Sequence, residues 1–568
     1  MSESMQVIFG LVGGLALFLY GMNSMSDALQ KAAGERMKSI LSFLTRNPIM
    51  GALAGALVTA VLQSSSATTV MAIGFVSAGL MSLPQAISVI FGANVGTTMT
   101  AQLLAFKISD YIYPIIFIGF LLNFAGKKEK IKNIGLVVFS FGLLFEGIEI
   151  MGSVMKPLAG SPFFVNLMGT VSEIPVLGVL LGLVMTLVVQ SSSATIAVLQ
   201  NFASQAGPDG VSSVIGLAGA IPILLGDNIG TTITALLASI GQSKNAKRTA
   251  VAHSVFNITG SIVFLFIIPV LVAFVQFISP KGPEVEVISR QIANAHTTFN
   301  VVCTLVWLPM LPVMVKIVKF IIRGKDQSEN QAYQTQFLDE KVISQPVAAM
   351  YLVSKELEHG AELAAEMLEQ AREALVGAER RAAQKHFAEI SAVVVRLQSS
   401  ISMYLTKMLS SGNLTERQSE QTAGLLSVAN DMGRIAERCT EISQVTGKMQ
   451  EDGKTISTEA VGELNHCFEI LQNLFEQAMT AVRTGDWEAA QKVGRSKNKM
   501  RKAQKKFNKA HLERVKRQVC DPSLISDFTA ILYGLDRIAD NCVGIAEEAL
   551  DHVVFAQMEE LPSENETI

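Results

Sequence analysis

Residues 47 to 106 run for sixty positions without one Asp, Glu, Lys or Arg. Soluble domains carry about 25% charged residues, so water is the wrong solvent for this stretch. Over the whole chain the charged share is 17%, and the deficit is uneven, because the part beyond about 330 is rich in Glu, Lys, Arg and Gln. The pattern predicts a membrane half followed by a soluble half. It excludes an averaged soluble enzyme and a chain embedded throughout. Basic residues number 46 against 49 acidic, which gives no electrostatic reason to expect nucleic acid. Cys303, Cys439, Cys467, Cys520 and Cys542 are odd in number and lack metal-ligand spacing, which fits reduced thiols rather than a disulfide framework. The opening Met-Ser-Glu-Ser-Met-Gln has no basic region of the signal-peptide type.

A bilayer crossing takes roughly 20 apolar residues. Segments near that length are 6–22, 84–105, 111–125, 133–152, 211–239, 253–278 and 297–323. Two further pairs, 49–62 with 67–82 and 175–189 with 194–206, have arms too short to cross, each pair broken by a polar cluster. Re-entrant hairpins that dip to mid-membrane and return explain them better than crossings. With the N-terminus outside and the C-terminus inside, the inner loops hold eleven basic residues: Lys31, Arg36, Lys38, Arg46, Lys127, Lys128, Lys130, Lys132, Lys244, Lys247 and Arg248. The outer loops hold four, Lys107, Lys156, Lys281 and Arg290. That orientation satisfies the positive-inside rule, though counting each hairpin arm as a crossing leaves most of the tally unchanged.

The membrane half is written twice. Gly14-Leu-Ala-Leu-Phe-Leu-Tyr-Gly21 is echoed by Gly135-Leu-Val-Val-Phe-Ser-Phe-Gly142, Gln63-Ser-Ser-Ser-Ala-Thr68 by Gln190-Ser-Ser-Ser-Ala-Thr195, and Gly92-Ala-Asn-Val-Gly-Thr-Thr98 by Gly226-Asp-Asn-Ile-Gly-Thr-Thr232. Repeat one covers about 5–126, repeat two about 133–278, and a final span is expected over 297–323. An odd number of crossings in the first copy inverts the second, the architecture of secondary transporters. The two hairpin tips would then meet near the midplane.

The chemistry of the tips follows from their residue types. Serine hydroxyls, glutamine amides and the N–H groups of a helix N-terminus favour an oxyanion without any Arg. The same elements offer hard oxygen ligands for a cation such as Na⁺. Asn94, Thr97 and Thr98, with Asn228, Thr231 and Thr232, add oxygens near glycines that let backbone approach closely. Asp227 stands where the first copy has Ala93. An acid in an apolar stretch is costly: it is either a cation ligand or a cap at a helix end. Ala252-His-Ser-Val-Phe-Asn257 resembles Ala295-His-Thr-Thr-Phe-Asn300. His253 and Asn257, like His296 and Asn300, share a helix face, as glue between helices or as pathway lining. No base–nucleophile pair supports an enzyme: the histidines lie in other segments, without an acidic orienter. A membrane sensor that binds its solute without moving it remains the competing class.

The paired Gln-Ser-Ser-Ser motifs in a duplicated membrane half resemble the type II sodium–phosphate cotransporter family, over about residues 5 to 325. The resemblance implies sodium-coupled movement of inorganic phosphate, in a bacterial inner membrane, in either direction. It implies a phosphate site at Gln63, Ser64, Ser65, Ser66, Gln190, Ser191, Ser192 and Ser193, with Thr68 and Thr195 as sodium ligands. After a polar linker at 326–344, six long 3.6-period patterns predict an all-α double bundle over 345–556, with a flexible tail at 557–568. Arg434-Ile-Ala-Glu437 is echoed by Arg537-Ile-Ala-Asp540. This half resembles the PhoU family, regulators of phosphate uptake. The likeness implies a cytoplasmic regulatory domain, a homodimer or a phosphate-signalling protein as partner, and divalent or iron-type metal at Asp536, Asp540 and Glu547, with Asp431 and Glu437 in the first repeat. Gly433 departs from that motif, and a solvated acidic face is the plainer reading. The basic stretch from Lys492 to Arg517 reads as a solvated face or as a contact for anionic lipid.

Overall fold

A computed structural model describes residues 3–33, 47–106, 108–159, 169–171, 173–207, 209–324, 335–376, 380–412, 414–551 and 553–559. The predicted inner-loop Arg36, Lys38 and Arg46, the outer Lys107, the first half of the linker (326–334) and most of the tail lie outside them. The chain divides into two compact units, Met1–Asp326 and Gln327–Ile568.

The first unit is built from α1 (Glu3–Ala33), α2 (Pro48–Leu62), α3 (Ser65–Ser77), α4 (Leu83–Leu104), α5 (Ile112–Ala125), α6 (Glu129–Ala159), α7 (Pro175–Val189), α8 (Ser192–Ala203), α9 (Gly216–Gly230), α10 (Thr232–Ala238), α11 (Lys244–Phe266), α12 (Ile268–Ile278), α13 (Glu284–Trp307) and α14 (Leu311–Ile321). Local chemistry sets many of the ends. Asn47 caps α2 through the Met50 N–H at 2.9 Å, with Pro48 at the first helical position. Ser82 and Gln85 form a capping box on α4.

Among the described residues five helices are long and apolar enough to cross a membrane, or six if α13 and α14 form one span. Those two meet at an angle of 88°. The sequence reads 297–323 as one span, but Pro309 and Pro312 fall at the junction, and proline cannot continue an α-helix without losing a hydrogen bond. Likewise 253–278 divides at Ile267, just before Pro269, and its first helix begins back at Lys244. Together these breaks expose a longer echo. α11–α12 and α13–α14 align at a constant offset of 43, from Ala252 and Ala295 through Pro269 and Pro312 to Ile278 and Ile321. The core gathers α4, α8, α9 and α11 to α14 around Phe91, Phe256 and Phe299, all fully buried. Large apolar side chains such as Phe117, Phe124, Phe266 and Phe277 face outward, as a lipid-solvated unit requires.

The second unit contains α15 (Pro346–Val376), α16 (Arg380–Ser410), α17 (Glu416–Glu451), α18 (Thr458–Thr484), α19 (Trp487–Lys516), α20 (Leu524–Asp551) and the short α21 (Phe555–Glu559). α15 to α17 pack as one antiparallel triple and α18 to α20 as another, joined where α17 meets α20. The starts are chemically marked: Thr415 with Gln418 boxes α17, and Asp486 caps α19. Leu425, Ile435, Phe468, Leu471, Phe528 and Ile538 lie in its buried interior.

Candidate functional site

The two Gln-Ser-Ser-Ser clusters fold to nearly the same backbone. α2 ends at Gln63 (φ 51°, ψ 24°) and α7 at Gln190 (φ 55°, ψ 23°). The next residues, Ser64 (φ −147°, ψ 104°) and Ser191 (φ −146°, ψ 108°), already cap α3 and α8. Their hydroxyls accept from the Ala67 N–H at 3.2 Å and the Ala194 N–H at 3.3 Å. Left-handed backbone at a non-glycine costs roughly 1–2 kcal/mol. Each glutamine offsets part of it by donating back along its helix, Gln63 to the Ala60 carbonyl at 2.5 Å and Gln190 to the Leu187 carbonyl at 2.7 Å. Reversal in two residues leaves the N–H groups of Ser65 and Ser66, and of Ser192 and Ser193, in the first helical turn, where no intrahelical acceptor exists. Ser65 and Ser193 are buried, and Ser64, Ser66, Ser191 and Ser192 are partly exposed.

Behind each tip a threonine pair joins the arms: Thr59 to Thr68 at 2.9 Å and Thr186 to Thr195 at 3.1 Å. The copies then diverge. In the first, Thr100 donates to the Gln63 amide oxygen at 2.8 Å, and Gln63 is buried. In the second, Thr186 lies 2.6 Å from the Asp227 carboxylate and Gln190 is exposed. Asp227 is fully buried and its Oδ2 has no hydrogen-bond partner among the described residues, so this carboxyl calls for a cation or a proton. The capping alternative does not describe it, since it lies inside α9 near its C-terminal end.

The glycines of the Gly-x-Asn-x-Gly-Thr-Thr elements serve helix contact. A Cβ on Gly92 would lie 1.8 Å from the Ala52 carbonyl oxygen, and one on Gly226 1.9 Å from that of Val179. α4 and α9 thus seat directly on the entry arms α2 and α7. Thr97 and Thr98 donate their hydroxyls to carbonyls of α4, and Thr231 and Thr232 donate theirs to carbonyls of the last turn of α9, leaving only lone pairs for a ligand.

The histidine echo is resolved into a symmetric brace. His253 on α11 meets the Asn94 carboxamide oxygen on α4 at 2.9 Å, and His296 on α13 meets that of Asn228 on α9 at 3.1 Å. Ser261 on α11 donates to the Leu225 carbonyl on α9, and Thr304 on α13 to the Phe91 carbonyl on α4, both at 3.2 Å. The pairs obey offsets of 43 and 134 throughout, so α11 and α13 each clamp both copies. A carboxamide oxygen only accepts, so Nε2 carries the imidazole proton and Nδ1 offers a lone pair. Both Nδ1 atoms and both asparagine Nδ2 groups are buried without partners among the described residues. Asn257 and Asn300 instead donate to the His253 and His296 carbonyls, at 3.1 and 3.0 Å. Thr59, Thr186, Thr100, Ser261 and Thr304 escaped the sequence reading. Their signal was present as residues repeating at the copy offsets.

In the second unit the expected metal ligands do not assemble. The Lys497 ammonium sits 2.8 Å from Asp536 Oδ1 and 2.8 Å from Asp540 Oδ1, so a covalent cation fills the acidic pair. Asp431 lies across from Gly544 on α20, in the field of Glu547 and Glu548, with Arg434 at 3.6 Å. Burial pushes its carboxyl up to about 6. Glu437 is exposed, and no group of three or more His, Cys, Asp or Glu is placed to hold a metal among the described residues. These residues do not fit a metal centre.

Comparison with known proteins gives the same two halves. The Na⁺/Pi-cotransporter family model matches twice, at residues 17–153 and 147–293. The PhoU domain model matches at 357–446 and 464–549. "Uncharacterized protein YqeW" of Bacillus subtilis is 33% identical over 49% of this chain and 87% of that protein. "Putative inorganic phosphate export protein YjbB" of Escherichia coli K12 is 24% identical over 90% of this chain and 92% of its own. "Sodium-dependent phosphate transport protein 2A" of Rattus norvegicus is 36% identical over 17% of this chain and 15% of its own. No solved structure matches.

Proposed function

The chain belongs to the Na⁺/Pi-cotransporter family, as a multi-pass membrane protein with a PhoU domain, and from that premise we propose that it moves inorganic phosphate by sodium-coupled alternating access. The observation that carries this reading is the matched pair of hairpin tips, each reversing at a left-handed glutamine into a serine-capped helix N-terminus. Under it, the arms α2–α3 and α7–α8 are re-entrant and enter from opposite faces. Their tips bracket one phosphate near the midplane. Gln63 to Ser66 and Gln190 to Ser193 hold the anion through hydroxyls and first-turn N–H groups. The Asn94 and Asn228 oxygens are engaged by His253 and His296, so these asparagines turn amide N–H groups toward the anion rather than oxygens toward sodium. Sodium belongs at Asp227, where a hard cation would meet the free Oδ2 with the Thr186 and Thr195 hydroxyls. Each ion stabilises the conformer that binds the other, which is the thermodynamic content of coupling. The second unit faces the cytoplasm of the bacterial inner membrane and biases the cycle. Cutting away residues 330–568 is expected to spare transport and alter its regulation.

Labelled phosphate uptake into proteoliposomes tests this, with an inward Na⁺ gradient or choline in its place. Accumulation above equilibrium with Na⁺, lost in Ser65→Ala with Ser192→Ala, is the expected result. Equilibration indifferent to Na⁺ would refute the coupling. Binding of phosphate without any flux would leave a sensor. A second reading, export, is favoured by the likeness to YjbB along 90% of the chain. Vesicles loaded with phosphate, with Na⁺ imposed on either face, separate the directions.

A further inference from the structure

The basic stretch takes an ordered form in α19. Lys492, Arg495, Lys499, Lys502, Lys506 and Lys509 step by three and four residues alternately, which sets them on one face. At 1.5 Å per residue the row extends about 26 Å. All six are exposed, and none has an acidic partner within salt-bridge distance among the described residues, while Lys509 lies in the field of Glu513 one turn on. Lys497, Arg514 and Lys516, on the same helix, do have such partners. Arg501 and Lys505 lie along one flank of the row, and by helical rotation Trp487 and Leu512 share that flank. Both are exposed, Trp487 by 59%. The opposite face, with Val493, Met500 and His511, is buried and fixes which way the row points.

A surface kept only for solubility mixes its signs, as the rest of this chain does. Here one sign is drawn out along α19 from Lys492 to Lys509, with no acidic residue between them. Convergent donors would suit a small anion, but these cations diverge from one axis and match an extended plane of phosphates. An amphipathic ring and an aliphatic side chain beside the row are the groups that enter a headgroup region. We infer that this face of α19 docks on an anionic phospholipid surface, with the six cations over headgroup phosphates and Trp487 at the interface. The unit is joined covalently to membrane-crossing helices, so the encounter is intramolecular. The inference needs the first unit to be in a bilayer and is independent of phosphate transport.

The test uses the full chain in nanodiscs, with Trp307→Phe so that Trp487 is the sole tryptophan. Its emission and its quenching by brominated lipid are read in phosphatidylcholine alone and with phosphatidylglycerol added. The expected result is a blue shift and quenching only with phosphatidylglycerol, reversed near ~0.5 M salt, where screening is strong. Gln at all six positions should abolish it, and the pair Lys499→Gln with Lys502→Gln should weaken docking about fivefold per charge removed. The pair keeps the test decisive if the sixfold variant folds poorly. Emission indifferent to phosphatidylglycerol, or an effect that survives neutralisation, overturns the inference. So does a shift produced in phosphatidylcholine nanodiscs by soluble inorganic polyphosphate and not by anionic lipid.

Discussion

Replacing Lys497 with Met keeps the aliphatic stem on the buried face of α19 and removes only the charged head. Three contacts go with it: Asp536 Oδ1 and Asp540 Oδ1, each at 2.8 Å, and the Asp536 carbonyl at 2.5 Å. Two carboxylates are left facing each other. Removing one partner of a fully buried pair costs about 3–5 kcal/mol. Here the Lys497 side chain is 7% exposed, but Asp536 is 16% and Asp540 38% exposed. Water recovers part of the loss, and about 2–3 kcal/mol is the discounted expectation. Hydrogen exchange on the full-length protein reads this locally, at the buried amides of α20 between Ile538 and Cys542. At 1.36 kcal/mol per decade, exchange there should quicken by about 30- to 150-fold. Asp536→Asn with Asp540→Asn in the Lys497→Met background should recover most of the loss, because the interaction energy of a cycle belongs to the charges. A chelator should leave the wild type unmoved, since its cation is covalent. Acceleration under threefold, or no recovery in the triple variant, would sink the reasoning.

Other consequences are as concrete. Gly92→Ala and Gly226→Ala each drive a methyl into facing backbone and should cost about 1–3 kcal/mol or more, with loss of transport, whereas Gly13→Ala, with open space around it, should be neutral in a detergent melt. His253→Ala and His296→Ala strip a buried asparagine oxygen of its donor, worth about 1–3 kcal/mol. Phosphate transport should fall about tenfold or more in each, and His296→Gln, which keeps a donor, should regain part of it. Asp431 titrates near 6 in the folded state, above the usual carboxylate range. Its contribution is therefore present below that range and lost as pH rises through 6. Asp431→Asn should stabilise the second unit by about 2 kcal/mol at pH 7.5 and do little at pH 4; equal effects at both would contradict the assignment.

Solvent preference and periodicity are written locally, so the sequence determined the two halves, their all-α character, the duplication and the paired serine clusters. An uncharged sixty-residue run cannot be a soluble surface, and six 3.6-period patterns in the second half became α15 to α20 with ends shifted by only a few residues. Partners across space are a different matter. That His253 reaches Asn94 and His296 reaches Asn228 depends on which helices become neighbours. Asp227 carries weight because packing buries its carboxyl with Thr186 as its only hydrogen-bond partner among the described residues. The acidic motif of the second unit looks like a metal site until the fold brings Lys497, some forty residues away in sequence, between its two carboxylates. Composition fixes which solvent a segment can bear, whereas the identity of a buried charge's neutralising partner is set by long-range packing, and only the tertiary structure decides it.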